Sequence, residues 1–452
     1  MKLMEQQLHE LDGLRVHIIP TDKYKTNTFV FRFKAPLNEE TVTERALLPY
    51  VLQSATEKLP SVIRLRQYLE ELYGSSLAVD VSKKGEDHII SIYVDIANEV
   101  YLHDAPPLFE KALSMLSDIV LHPATEGNGF LSSIVESEKR ALLQRIEATY
   151  DDKMRYANER LIEEMCKVEP YRLSANGKKE SVMSITNESL YQYYQKVLAE
   201  DEMDLYIIGD ISENAVDLVS KYFSILARPV RERNVLLHRR NNEEKEVVEK
   251  QELKQSKLHI GYRTFVTYKD EDYFALQLFN GLFGGFSHSK LFVNVREKNS
   301  LAYYAASRFE SHKGLLFVMS GIEAKNYEKA VEIIKEQMPK AEFIVVPSSY
   351  TEKGQYDQEI ASAKGLYINM LESCDALYVP KFGLAKDEEV LRYIQQYTEK
   401  QVIQIHVGEI STMGGAMNCL TWYCPSHLLP SKMRRLKNQN ENFSMKKIFD
   451  WF

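Results

Sequence analysis

The 452-residue chain is 44% apolar and 27% charged, with a net charge of −8 at pH 7. That length is more than one ordinary core serves, so two or more domains are expected. The acidic balance, with no basic stripe before the extreme C-terminus, argues against a nucleic-acid-binding surface. The opening MKLMEQQLHELDGLRVH has no apolar core of signal-peptide length, and no apolar run approaches the roughly 20 residues that span a bilayer. Four cysteines are too few for a disulfide framework in a chain of this size. A soluble, reduced, cytoplasmic protein without a membrane span is expected.

In chain order, LRVHIIP and NTFVFRFKA alternate and are rich in Val, Ile and Phe, which predicts strands. TERALLPYVLQSATEKLPS has the apolar spacing of a buried helix but holds Pro49. PSVIRLRQYLEELYG predicts a helix with Pro60 at its first turn and Gly74 as its stop. SSLAVDVSKK and DHIISIYVDIAN predict a hairpin around Lys83–Asp87. A helix near Pro106–Leu121 follows, then a long helical region from Phe130 to about Val168. TNESLYQYYQKVLAE, the strand MDLYIIGD and a helix at Glu213–Leu226 close the first half.

The segment 231–251 is dense in charge of both signs, the composition of a solvated linker. The pattern then returns: strand QSKLHIGYRTF, helix DYFALQLFNGLFGG, short helix SKLFVNVREKN, hairpin LAYYAASRF and GLLFVMSGIEA, helix YEKAVEIIKEQM. The order strand, two helices, hairpin, helix occurs twice, which predicts two homologous domains. The fold class expected is α+β, with two α/β-sandwich domains (mostly antiparallel sheet, helices on one face) forming a clamshell. The boundaries expected are 1–230, a linker 231–251, a second domain 252–427 and a basic tail 428–452 of disordered composition.

This duplicated order, together with GGFSHSKLFVNVREKNSLAYY, resembles the insulinase (pitrilysin) family of zinc metallopeptidases. RALLPYVLQS, YDDKMRYANERLIEEMCK and YYQKVLAED resemble its bacillus-type inactive members. The resemblance runs from about Leu14 to Met338. Active members carry His-x-x-Glu-His on the first helix, where two histidines four apart share one helical face and one zinc ion. The glutamate between them serves as general base, and a glutamate on a later helix is the third protein ligand. Aligned on SAT at Ser54–Thr56, the histidine positions fall at Ala46 and Tyr50, the general base at Pro49 and the later ligand at Arg145. Glu138 matches a supporting acid.

By this resemblance no residue that holds or activates zinc remains, so no catalytic residue, metal or cofactor is expected. Ala46 has no donor atom, Tyr50 ligates only when ionised, and Arg145 brings a permanent cation. Pro49 lacks the amide a helix interior needs, which predicts a helix starting later, with Pro49 in its first turn. In the second half, Arg296 and Tyr303 match the pair with which active members hold the substrate backbone. Read from the residues alone, they are an exposed helix-end arginine and a half-buried hairpin tyrosine. Gly281, Gly284 and Gly285 resemble a glycine loop of a non-catalytic family subunit, and a helix C-cap explains them equally well.

The function expected is a catalytically inactive homologue, paired with a zinc-bearing homologous subunit and contributing peptide-substrate contacts. The alternative is a self-standing peptide-binding or scaffolding protein. Cys419, Cys424 and His427 lie close together but lack a fourth ligand and the usual pair-of-pairs spacing of a zinc site. A hydrolase built on them ranks last. His88, His259 and His288 read as surface or satisfied core residues. LTWYCPSHLLPSKMRRL has no physical explanation from sequence.

Overall fold

Phe29, Phe31 and Phe33 alternate along one strand, and all three side chains are buried in the computed structural model. Period-2 patterning of this kind turns one face of a sheet toward a core. The structure describes residues 6–103, 106–223, 244–253, 255–337, 367, 370–372 and 375–407. It separates into two units, Met4–Ala341 and a smaller one comprising Glu342–Phe452 with Met1–Leu3. The division falls inside the range 252–427 expected to be one domain.

The first unit opens with β1 (Gln7–Leu11), β2 (Leu14–Pro20) and β3 (Thr26–Pro36), then α1 (Val42–Leu52) and α2 (Val62–Glu71). The hairpin β4 (Ser76–Lys84) and β5 (Asp87–Ala97) follows, turning at Gly85, whose φ of 57° is left-handed. Next come α3 (Leu108–Leu121), the two-residue strands β6 (Thr125–Glu126) and β7 (Gly129–Phe130), and α4 (Ser132–Asp151). The long helical region expected at 130–168 is broken at Asp152. Its carboxylate accepts the amides of Met154 and Arg155 and so starts a new helix, α5 (Lys153–Met165). The half ends with α6 (Lys179–Val182), α7 (Asn187–Glu200), β8 (Glu202–Gly209) and α8 (Ala215–Tyr222). The strands order as β1-β2-β8-β3-β5-β4, antiparallel except for β2 with β8. Helices α1 and α3 pack on this sheet over a core that includes Leu47, Leu52, Ile92 and Leu116.

One buried cation ties α1 to that sheet. The Arg45 side chain is 1% exposed, donates to the carbonyls of His88 (3.1 Å) and Phe33 (3.1 Å), and pairs with Asp201 at 2.6 Å. Burial opposes its charge, but the Asp201 carboxylate and Tyr193 outweigh that and hold its pKa above the ordinary value. The helix was expected to begin near Pro49, yet it runs from Val42 through Pro49 to Leu52. Losing one amide and crowding the preceding turn costs about 3 kcal/mol. Here the helix is buried along its length and pinned at Arg45, and tertiary packing overrides the local preference.

The second half carries β9 (Ser256–Arg263), α9 (Tyr273–Asn280) continuing into a π-helical turn at Gly281–Gly285, and a second π-helical segment at Phe292–Lys298. Then come β10 (Ala302–Glu310), β11 (Leu315–Ile322) and α10 (Tyr327–Glu336). The order β10-β11-β9 repeats the adjacency of β4-β5-β3, so the duplication read from sequence exists in space. Helix α5 packs on β9 so closely that a Cβ at Gly261 would lie 2.6 Å from the Met165 sulfur. Ile162, Cys166, Tyr171, Leu315 and Phe317 form a shared core at this junction. Above it, the nearly buried Lys313 ammonium bridges Glu86 and Glu169 (2.7 Å to the latter), and Arg263 donates to Glu169. Of the expected linker, 231–243 lie outside the described residues, and 244–251 carry no regular structure.

The second unit is built differently. β12 (Leu371–Glu372) pairs antiparallel with β13 (Ala376–Lys381), and α11 (Asp387–Gln395) connects β13 to a parallel neighbour, β14 (Gln401–His406). The Asp387 carboxylate accepts the amides of Phe382, Gly383 and Leu384 and the Tyr367 hydroxyl, closing the strand-to-helix loop over Val379, Val390 and Ile394.

His88 gives a test of the first core. Its wholly buried ring donates Nε2–H to the Ala175 carbonyl at 3.1 Å, and burial, then the Arg45 charge, pushes its pKa down to about 3. The folded state therefore holds it neutral while the unfolded chain takes up a proton below about pH 6.5. The stability this confers is complete above pH 6.5 and is lost as pH falls toward 3, at up to about 1.36 kcal/mol per pH unit. Urea unfolding at pH 7 and pH 4.5 is expected to show wild type losing about 2.5 kcal/mol more than His88→Gln. Equal losses would contradict the assignment.

Candidate functional site

Two groups of side chains identified in the sequence fall into two separate places in the first unit. The first lies where α1 meets α4. The Arg145 guanidinium stacks on the Tyr50 ring with its carbon 3.7 Å from the ring centroid. A desolvated contact of this type is worth up to ~2 kcal/mol. Arg145 Nε and Nη2 are buried and make no hydrogen bond, and at about 1–3 kcal/mol for each unpaired donor this offsets the stacking gain. Glu138, two turns earlier on α4, is half-buried. Its pKa is raised by that burial and drawn back partly by Arg145.

Positions 50 and 145 are thus neighbours in space, as a pair sharing one ion would have to be. Their chemistry does not fit a metal: a fixed cation over an aromatic face, with Ala46 buried and lacking a donor. Among the described residues no cluster of three or more His, Cys, Asp or Glu could hold an ion.

The second place is a cleft of about 390 Å³ lined by Arg296, Tyr303, Gln255, Ser300, Glu323 and Asn326, among others. The π-helical segment Phe292–Lys298 carries Arg296, whose guanidinium carbon sits 4.5 Å from the Phe292 ring and 6.0 Å from the Tyr303 ring. Arg296 Nε lies 3.5 Å from Glu297, an exposed pair worth little. Tyr303 follows a register shift between Ala302 and Ala305, and is 79% exposed rather than half-buried. Ser300, with φ of 50°, turns the chain between them. A planar donor fork and a phenol side by side on an open cleft can grip a peptide carbonyl.

The glycines act differently from a helix C-cap. None of the three is left-handed. The Phe286 ring occupies the space a Cβ at Gly281 would need, 2.4 Å away, and Gly284 lies against the Ser307 backbone at 2.5 Å. His88 is a core residue bonded through Nε2 alone, its buried Nδ1 making no hydrogen bond, and His288 is exposed against Phe286. His259 is half-buried, with both ring nitrogens shielded from solvent and neither bonded, and desolvation lowers its pKa to about 4. Cys419, Cys424, His427 and the basic tail lie outside the described residues. Sequence reasoning missed Arg45 and Asp201, which no local pattern marks.

With this geometry in view, the family model for the peptidase M16 inactive domain matches residues 184–341. A Bacillus subtilis (strain 168) protein named "Probable inactive metalloprotease YmfF" is 50% identical over 374 residues, covering 81% of this chain and 84% of that protein. The chain belongs to the M16 peptidase family. A zinc protease of the same organism, YmxG, named as uncharacterized, is 22% identical over 315 residues, covering 67% of this chain and 74% of that protein. The solved structure of a conserved protein from Enterococcus faecalis V583 is 36% identical with a TM-score of 0.70, covering 74% of this chain and 79% of that one. A second model, Porphyromonas-type peptidyl-arginine deiminase, matches residues 312–425. It covers the parallel β13–α11–β14 element of the second unit, and no sequence signal identified above pointed to it. No helix among the described residues is long and apolar enough to cross a membrane.

Restoring the family's ligand set tests the placement of the first group. The variant carrying Ala46→His, Pro49→Glu, Tyr50→His and Arg145→Glu is expected to retain one Zn²⁺ through gel filtration, read by elemental analysis, whereas wild type retains none. A folded quadruple variant that takes up no zinc would show the four positions to be misassigned.

Proposed function

We propose that this M16 homologue is a non-catalytic subunit. It pairs with a zinc-bearing homologous peptidase and contributes Arg296 and Tyr303 to the shared peptide site. One observation carries the reading: the two halves of the machinery have diverged unequally. The positions assigned to metal chemistry hold Ala46, Pro49, Tyr50 and Arg145, two of them locked together by stacking. Tyr303 stays exposed and Arg296 half-exposed at an open cleft, and neither contributes to a core. The name of the Bacillus relative supports an inactive role, and a zinc protease of that organism exemplifies the type of partner required.

The test is co-purification of the full chain from its own host, followed by a peptidase assay of the complex. A stoichiometric homologue bearing His-x-x-Glu-His is expected. Arg296→Ala should lower kcat/KM of the complex about 10- to 100-fold, the worth of one charge-assisted hydrogen bond. An active complex indifferent to Arg296→Ala and Tyr303→Phe would refute the shared site. Recovery of no homologue would leave a self-standing peptide-binding protein as the better reading.

A further inference from the structure

A second cleft, of about 320 Å³, opens in the first unit where the segment after α5 meets the turn between β3 and α1. A volume of this size lies at the lower end of small-molecule sites. Its apolar lining comes from Leu37 and Leu173, which are buried together with Val42, and from Pro170 and the exposed Val168. Its charged lining comes from Lys167, Arg172, Glu39 and Glu169. Glu169 is already engaged, by Lys313 at 2.7 Å and by Arg263. The charges left to face a ligand are therefore Lys167, Arg172 and Glu39.

The Glu39 carboxylate lies between two cations. One oxygen accepts from Arg172 Nη2 and the other from the Lys178 ammonium. All three side chains are partly exposed, so each pair is worth little and opens easily. The two cations are placed without Glu39. Arg172 ends a 3₁₀ turn at Pro170–Arg172, and Lys83 fixes the backbone on both sides of it, donating to the Tyr171 carbonyl at 2.7 Å and the Leu173 carbonyl at 2.9 Å. Lys178 gives its amide to the Thr43 hydroxyl at 3.0 Å. Gly177 before it, with φ of 75°, approaches so closely that a Cβ would lie 2.5 Å from Thr43 Oγ1. The result is an anion clamp with fixed walls and a loosely held internal occupant.

We propose that this cleft binds a small carboxylate carrying an apolar group, such as the C-terminal residue of a peptide, whose charge displaces Glu39 from between Arg172 and Lys178. The planar guanidinium suits a carboxylate, and the ammonium adds a second donor without demanding one geometry. The apolar group displaces water from Leu37, Pro170 and Leu173, which a bare inorganic anion would leave wet. Glu39 acts as an internal competitor, because it offers the clamp the same chemical group that the ligand brings. The site shares no lining residue with the Arg296/Tyr303 cleft and does not rest on the reading given for that cleft.

Titration of the purified full chain with N-acetyl-leucine, followed by ligand-observed NMR, tests this. A Kd of about 1 mM is expected for a ligand of about a dozen heavy atoms. N-acetyl-leucinamide, which lacks the charge, should bind at least about tenfold more weakly. Arg172→Gln and Lys178→Gln should each weaken binding of the acid about tenfold, with unchanged circular dichroism and melting temperature. Glu39→Ala should instead tighten it about 3- to 10-fold, since it removes the competitor. N-acetyl-Ala-Ala-Leu separates the two sources: tighter binding than N-acetyl-leucine assigns a peptide terminus, and equal binding a free acid. No binding of the acid to wild type or to Glu39→Ala would overturn the proposal, as would equal binding of the amide. Inorganic phosphate binding as tightly as the acid would overturn the role of the apolar lining. Weaker binding by Glu39→Ala would overturn the displacement.

Discussion

The guanidinium of Arg45 holds together parts of the chain that are far apart in sequence. It accepts no solvent, so every bond it makes is to protein: the carbonyls of β3 and β5, the Tyr193 hydroxyl of α7 and the Asp201 carboxylate just before β8. Two strands, two helices and the entry to a third strand are thereby placed around one charge. Removing either partner from a buried pair typically costs about 3–5 kcal/mol, because the other charge is stranded away from water. The pair therefore constrains the position of α1 far more tightly than apolar packing alone, which tolerates sliding.

That constraint explains how α1 carries Pro49 in its interior. A helix interrupted in its own hydrogen-bond ladder still keeps its course when it is buried along its length and anchored one turn earlier. The position and direction of the helix are thus independent of whether residues 46, 49 and 50 do any chemistry. From α4, Arg145 supplies a cation that stacks on Tyr50 without disturbing the sheet behind. The second half shows the opposite pressure. Arg296 and Tyr303 lie on a π-helical segment and beside a strand irregularity, two departures from regular geometry that aim side chains outward.

The smaller unit obeys different rules. A parallel pair needs a crossover, supplied here by a helix, whereas the sheets of the first unit are built largely from antiparallel neighbours. The Asp387 carboxylate, gathering three consecutive amides, closes its loop as a capping residue closes a helix start. The peptidase M16 inactive-domain model ends at the unit boundary, at residue 341, and the second model overlaps it from residue 312 and runs on through the smaller unit to 425.

Much of the first unit was legible from sequence, because period-2 runs such as NTFVFRFKA and turn residues such as Gly85 act locally. The duplicated order and the neighbourhood of residues 296 and 303 followed from the same patterns and from motif resemblance. Local rules failed where a distant group decided. The course of the helix through Pro49 depends on Asp201, about 150 residues away, and on carbonyls from two strands. The break at Asp152 depends on an N-cap that wins only because α5 has β9 to pack against. The stacking of Arg145 on Tyr50 joins residues on separate helices. The sequence alone determined which segments are strands and helices and how they repeat, because those preferences lie in neighbouring residues. The tertiary structure alone decided which charges could be buried and which helix could keep a proline. Those outcomes depend on what stands opposite in space.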